Sequence, residues 1–351
     1  MFQTLIDCEI NLHKNVEAKC ERNEPIDIKE ISSCFAIDVI GSSAFGLECK
    51  TFEQENSDFR VYGRKLFAKT TWGKLINIFS TNFPKLANAL NIKTIPNDVS
   101  DFFMTVVENI ISYREQNEFI RNDFMQSLIK MKNSRDPEKR LTGEEVAAQC
   151  AVFFVANFET SSTLMTFALF ELAKNQYIQE KVRNEINKLL NKYNGSITYD
   201  FIDELKYMNQ VLDEILRKYP PVPFIRRRCV KDYKIPDEDI VIEKGTIVVI
   251  PILGIHHDKE YYPDPDKFDP ERFSEENKSC RHHYAHLPFG EGPRICIGKR
   301  FGLMQSKVGL TSLLKNYRFT LNKETKEPLT VDLNSMVLET EEKIWLDVQK
   351  I

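Results

Sequence analysis

Phe289-Gly290-Glu291-Gly292-Pro293-Arg294-Ile295-Cys296-Ile297-Gly298 is the stretch on which the reading of this chain turns. A cysteine closes a glycine-rich loop, and Gly298 opens a helical pattern that runs to about Asn316. A thiol at that place meets the N-terminus of a helix, whose free N–H groups and dipole lower its pKa. A thiolate so placed can hold a soft or borderline metal. Gly290 and Gly292 let the backbone come close to a flat cofactor, and Arg294 can pair with a cofactor carboxylate.

The other seven cysteines, at 8, 20, 34, 49, 150, 229 and 280, lack such a setting. None forms a Cys-x-x-Cys pair, which argues against a zinc site or redox dithiol. Most of them read as small buried apolar residues, in a reducing compartment. With 351 residues and 42% hydrophobic content the chain can bury a large core. A net charge of −4 and no long basic tract give no support to nucleic-acid binding.

Upstream of the loop the periodicity is helical. Segments near 1–20, 27–45, 55–70, 96–118 and 122–132 are punctuated by Pro25, Gly46, Pro84 and Pro96. Thr142-Gly143-Glu144-Glu145 reads as a capping box. It opens a helix to about Lys174 that is apolar nearly all round, hence buried on every side. Residues 146–173 are long enough to span a bilayer, but Gln149, Asn157 and Glu159 interrupt them, which favours a core helix. Two further helices are expected near 176–193 and 199–218. After Pro220-Pro221 the texture turns to short β-branched runs at 233–236 and 246–250. A Pro-, Asp- and His-rich loop at 257–295 follows, and a few strands close the chain between 319 and 350. The expected fold class is mainly α with small β-sheets, in a single domain over 1–351.

Three patterns gain meaning together. Glu214-Ile215-Leu216-Arg217 pairs an acid and a base at i, i+3 on a helix, and Pro270-Glu271-Arg272-Phe273 follows in the long loop. Ala156-Asn157-Phe158-Glu159-Thr160-Ser161 places an acid beside a threonine inside the buried helix. A buried acid there needs a partner or a task, and a polar kink is the plainer reading. With the cysteine decapeptide, these stretches resemble the cytochrome P450 family over essentially the whole chain. Lys218-Tyr219-Pro220-Pro221-Val222-Pro223 and Tyr262-Pro263-Asp264-Pro265 are similar to insect microsomal members of the xenobiotic-metabolising type.

The resemblance implies haem b (iron protoporphyrin IX) with Cys296 as axial iron ligand. It implies a cofactor cradle of Phe289, Gly290, Gly292, Arg294, Gly298 and Ala156, and Arg227 as a propionate partner. Glu214, Arg217 and Arg272 would form a buried network holding the haem loop. Thr160 would handle O2 and Glu159 would relay protons. Where the family usually has glycine this chain has Asn157, which adds bulk and an amide: it narrows the oxygen groove or donates a hydrogen bond of its own. A small lipophilic substrate would meet Phe153, Phe154, Phe158, Val222, Phe224 and Ile225. Electrons would come from NADPH through NADPH-cytochrome P450 reductase, with cytochrome b5 as a second donor. Lys299, Arg300 and Lys307 would form a basic patch toward that acidic partner.

The family resemblance also implies the cytoplasmic face of the endoplasmic reticulum membrane. The N-terminal anchor, first strands and first helices of the fold are expected to be absent from this chain. A truncated haem-binding isoform or fragment without turnover is the alternative. A haem-free helical interaction protein would make the cysteine loop a coincidence. The paired histidines at 256–257 and 282–283 read as solvated or capping.

Overall fold

Thr142 accepts a hydrogen bond from the Glu145 N–H while Glu145 reaches back to the Thr142 N–H, and this capping box opens a 32-residue helix. The computed structural model describes residues 1–67, 71–277, 281–332 and 335–351. Its helices in chain order are α1 (Phe2–Glu21), α2 (Ile28–Ile40), α3 (Asp58–Leu66), α4 (Thr71–Asn82), α5 (Pro84–Ala89), α6 (Asn97–Gln116) and α7 (Phe124–Lys132). The long helix is α8 (Gly143–Lys174), followed by α9 (Gln176–Lys192), α10 (Tyr199–Asp203), α11 (Lys206–Lys218), α12 (Ile252–His256) and α13 (Lys299–Asn316). The short strands are β1 (Ile26–Asp27), β2 (Ile225–Arg228), β3 (Tyr233–Lys234), β4 (Val241–Ile242), β5 (Ile247–Ile250), β6 (Tyr317–Leu321) and β7 (Trp345–Lys350). The protein is mainly helical with small sheets, as expected.

α8 organises the interior by halves. Its C-terminal half, from Leu164 onward, packs into a core with α1, α9, α11, α13 and β6. Its N-terminal half, from Val146 to Phe158, packs into a second core with the end of α2, α6 and α7. By length and composition α8 could cross a membrane, but 67% of its most apolar window is buried within the fold. Gly309 of α13 permits one close approach: a Cβ there would lie 2.6 Å from Met165 Cε and 2.9 Å from Phe35 Cε1.

The sheets are antiparallel: β1-β7-β6, β2-β5 and β3-β4. Several elements differ from the sequence reading. The helix expected over 27–45 turns into a π-helix at Gly41–Phe45. The one expected over 199–218 breaks between α10 and α11. α4 and α5 flank Pro84, which begins α5 rather than only ending a segment. β2 forms from the Arg226-Arg227-Arg228 run, because the Ile225-to-Arg228 backbone pairs with β5 in register Ile225↔Ile250 and Arg227↔Val248. The end of the expected 55–70 helix and Cys280 lie outside the described residues.

Candidate functional site

At the junction of the two α8 halves lies a cavity of about 440 Å³. One wall is the α8 stripe Phe153, Ala156, Asn157, Thr160 and Leu164. These positions recur at helical spacing, so one face of α8 serves the cavity while Phe154 and Phe158 turn away. The opposite wall is the loop from Leu287 to Gly298, including Phe289, Gly290, Arg294 and Cys296, and continues to Gly302. Val222, Ile225 and Arg227 complete it from the β2 side.

The cysteine loop is held by its own backbone. The Cys296 N–H donates to Phe289 O at 2.9 Å, and Ile295 N–H to Gly292 O at 3.0 Å. Gly290 and Gly292 carry φ of 69° and 79°, where a side chain would be strained. The Cys296 thiol is exposed toward the cavity, whereas Cys8, Cys34, Cys49 and Cys150 are buried. Burial pushes the Cys8 and Cys150 thiols up to about 12. Those thiols stay protonated, so Cys296 is the one of these five thiols fit for metal ligation.

Behind the loop is a buried clamp. Glu214 and Arg217, both fully buried, form a bidentate pair at 2.6 and 2.9 Å. Arg217 also donates to the carbonyls of His256 at 2.9 Å and Pro265 at 2.7 Å, and Glu214 accepts the Asp269 N–H at 2.9 Å. Arg272 stands 3.5 Å from Glu214 and donates to Pro263 O and Asp264 O. Burial raises the Glu214 carboxyl against the pull of Arg217.

The sequence reading missed His256. It is fully buried rather than solvated. Its Nε2 accepts the Leu287 N–H at 2.9 Å, which requires a neutral ring. Burial lowers its pKa to about 4. The His256 backbone is held by Arg217 and its ring holds Leu287, so the clamp reaches the cysteine loop by two hydrogen bonds. Of the other paired histidines, His282 does cap, accepting the Tyr284 N–H at 3.2 Å. Burial pushes His286, stacked beside His256, well below its ordinary value, and raises the Asp213 carboxyl to about 6.

Other sequence-predicted residues land elsewhere. Phe154 and Phe158 are buried in the second core, because an all-round apolar helix does not reveal in sequence which face meets a cavity. Phe224 is 43% exposed and stacks under Arg226 rather than lining the cavity. Glu159 lies on a different face of α8 from Thr160. It is ion-paired with Lys29 of α2, whose Nζ also donates to Ser162 and Thr163. Lys307 is buried and donates to Ile202 O, so it does not belong to a surface patch with the exposed Lys299 and Arg300.

The donor set fits an iron porphyrin. A thiol faces a largely apolar cavity, and the guanidiniums of Arg227 and Arg294 line it without a carboxylate partner among the described residues. A Cys2His2-type or carboxylate metal cluster is absent among the described residues. The family model for cytochrome P450 matches residues 1–347. The chain belongs to the cytochrome P450 family. Similar curated proteins include probable cytochrome P450 6a14 of Drosophila melanogaster, 43% identical over 95% of this chain and 68% of its own length. Cytochrome P450 6a2 of the same fly is 43% identical over all of this chain and 72% of its own length. Cytochrome P450 6A1 of Musca domestica is 39% identical over all of this chain and 70% of its own. The chain thus spans about seven-tenths of the length of these P450 relatives. Membership makes it an oxidoreductase of the haem monooxygenase class.

Proposed function

We propose that Cys296 binds the iron of haem b. On this reading the protein inserts one oxygen atom of O2 into a small lipophilic substrate, with NADPH electrons delivered by NADPH-cytochrome P450 reductase and, as a second donor, cytochrome b5. The reading extends to the cytoplasmic face of the endoplasmic reticulum membrane and to one domain over residues 1–351, whose two cores meet along α8. Bound haem supplies the redox and oxygen chemistry, and a thiolate ligand favours O–O cleavage.

The protein's own residues position and shield that chemistry. Arg227 and Arg294 pair with the propionates. Phe289, Gly290, Gly292, Gly298 and Ala156 admit the flat ring closely. Glu214, Arg217 and Arg272 hold the loop that carries Cys296. Phe153, Val222 and Ile225 offer the apolar walls for substrate. The Thr160 hydroxyl donates to Ala156 O at 2.7 Å, so it turns oxygen lone pairs, rather than its proton, toward the cavity. Glu159 reaches the cavity only if its carboxylate leaves Lys29, so a proton relay through Glu159 needs a change of rotamer. The exposed Lys299 and Arg300 offer positive charge near the loop to an acidic redox partner.

The observation that carries this reading is the exposed thiol facing one apolar cavity with two guanidiniums that lack carboxylates among the described residues. The test is the carbon monoxide difference spectrum of the reduced, haem-loaded protein. A thiolate-type Soret band is expected, and Cys296→Ala should abolish it. A band that survives Cys296→Ala, or one absent from the unaltered protein, overturns the assignment.

A further inference from the structure

The α8 wall of the cavity is apolar at Val152, Phe153, Ala156 and Leu164. Its threonine hydroxyl proton is spent inside the helix, on Ala156 O. Asn157 sits on the same wall, one turn before Thr160, and its Oδ1 is shielded from solvent with no hydrogen-bond partner among the described residues. Among the described lining residues it is the one with such an orphaned atom. That oxygen is closed to the open cavity as it is to bulk water, and a buried amide oxygen without a donor is destabilising. A half-turn about the last side-chain torsion exchanges the oxygen and the NH2 end, so a ligand in the cavity that offers a donor can draw the oxygen out, and one that offers an acceptor can meet the NH2 group.

We propose that Asn157 is a specificity-determining residue: its carboxamide selects neutral lipophilic ligands that carry a hydroxyl or carbonyl group. The inference rests on reading the cavity as the substrate chamber. An apolar wall holds a hydrocarbon by contact alone and leaves its orientation open. A carboxamide on that wall, beside the hydroxyls of Thr160 and Ser161, fixes the orientation of a ligand able to reach it. It also discriminates against an analogue that lacks the group, because the amide then stays unpaired. Phe153 lies one turn earlier and offers apolar contact to the hydrocarbon part of a ligand.

The probes are 2-naphthol and 2-methylnaphthalene, which share a ring system and differ by hydroxyl against methyl. Their binding to the haem-loaded protein, to Asn157→Leu and to Asn157→Ala is measured by titration calorimetry. The unaltered protein should prefer the naphthol over the methyl compound by a ratio on the order of three- to tenfold larger than either variant shows. The ratio cancels the intrinsic difference in hydrophobicity between the probes. Alanine, a good helix former, keeps the comparison open where leucine prevents folding. Equal ratios in the unaltered protein and the variants overturn the role of Asn157 while leaving the chamber intact. Failure of both probes to bind the unaltered protein removes the chamber reading and this proposal with it.

Discussion

Removing both charges of the Glu214–Arg217 pair should leave the protein badly destabilised, although removing a simple buried pair would not. Replacing a buried ion pair by apolar residues of similar size is often neutral or stabilising, since both charges lose their desolvation penalty together. Here the pair also serves backbone groups that have no other visible partner in the clamp. Arg217 satisfies the His256 and Pro265 carbonyls, and Glu214 satisfies the Asp269 N–H. Arg217→Met alone takes the bidentate partner from the fully buried Glu214 carboxylate, leaving Arg272 at 3.5 Å as its cation, and should lose about 3–5 kcal/mol. The double variant Glu214→Leu/Arg217→Met removes that carboxylate too but orphans those three backbone groups, each worth about 1–3 kcal/mol. It should therefore remain at least about 3 kcal/mol below the unaltered protein. Urea unfolding followed by far-ultraviolet circular dichroism gives the difference from the shift in midpoint at constant slope. A double variant as stable as the unaltered protein would refute the clamp and reduce the pair to an ordinary ion pair.

Three further outcomes follow from the geometry. Lys29→Met leaves Glu159 without its cation on a helix face where the residue is 8% exposed; a loss of about 2–4 kcal/mol is expected in urea unfolding, with Lys29→Arg recovering most of it. His256 is lowered to about 4 when folded, against about 6.5 unfolded. The unfolded chain therefore binds the extra proton first, and the stability contributed by the neutral ring is full above pH ~6.5 and lost as pH falls toward 4. Because Asp213, raised to about 6, acts in the opposite sense, the readout is the stability difference between the unaltered protein and His256→Asn; it should shrink across that window by about 2–3 kcal/mol. Gly309→Ala puts a Cβ against Met165 and Phe35 and should lower stability by about 1–3 kcal/mol; Met165→Val in the same chain should return part of that, as judged by thermal melting.

How much of this was legible before the fold was known depends on how far apart the partners lie in the chain. The cysteine loop could be read directly, because its glycines, arginine and thiol are contiguous and each has a local reason to be there. The Glu214–Arg217 pair was legible as an i, i+3 spacing, but the carbonyls that make it a clamp come from residues 39 and 48 positions later. Lys29 gave no signal at all. It precedes its partner by 130 residues and looks like any solvated lysine at a helix start. The same limit misassigned Phe154 and Phe158, since periodicity cannot separate two faces of a helix when both are apolar.

Asn157 shows the reverse case. A departure from the family pattern was visible in the sequence, but its meaning depended on whether the amide found a partner. Had the structure given Oδ1 a hydrogen bond within α8, the residue would read as a local adjustment of the helix, as Thr160 does through Ala156. An orphaned oxygen on a residue that lines the cavity instead turns the residue from the helix's own hydrogen bonding to that of a ligand, reached by rotation of the carboxamide. The Thr160 proton is already used, leaving its lone pairs to accept from a ligand, whereas the Asn157 oxygen has no partner of its own among the described residues.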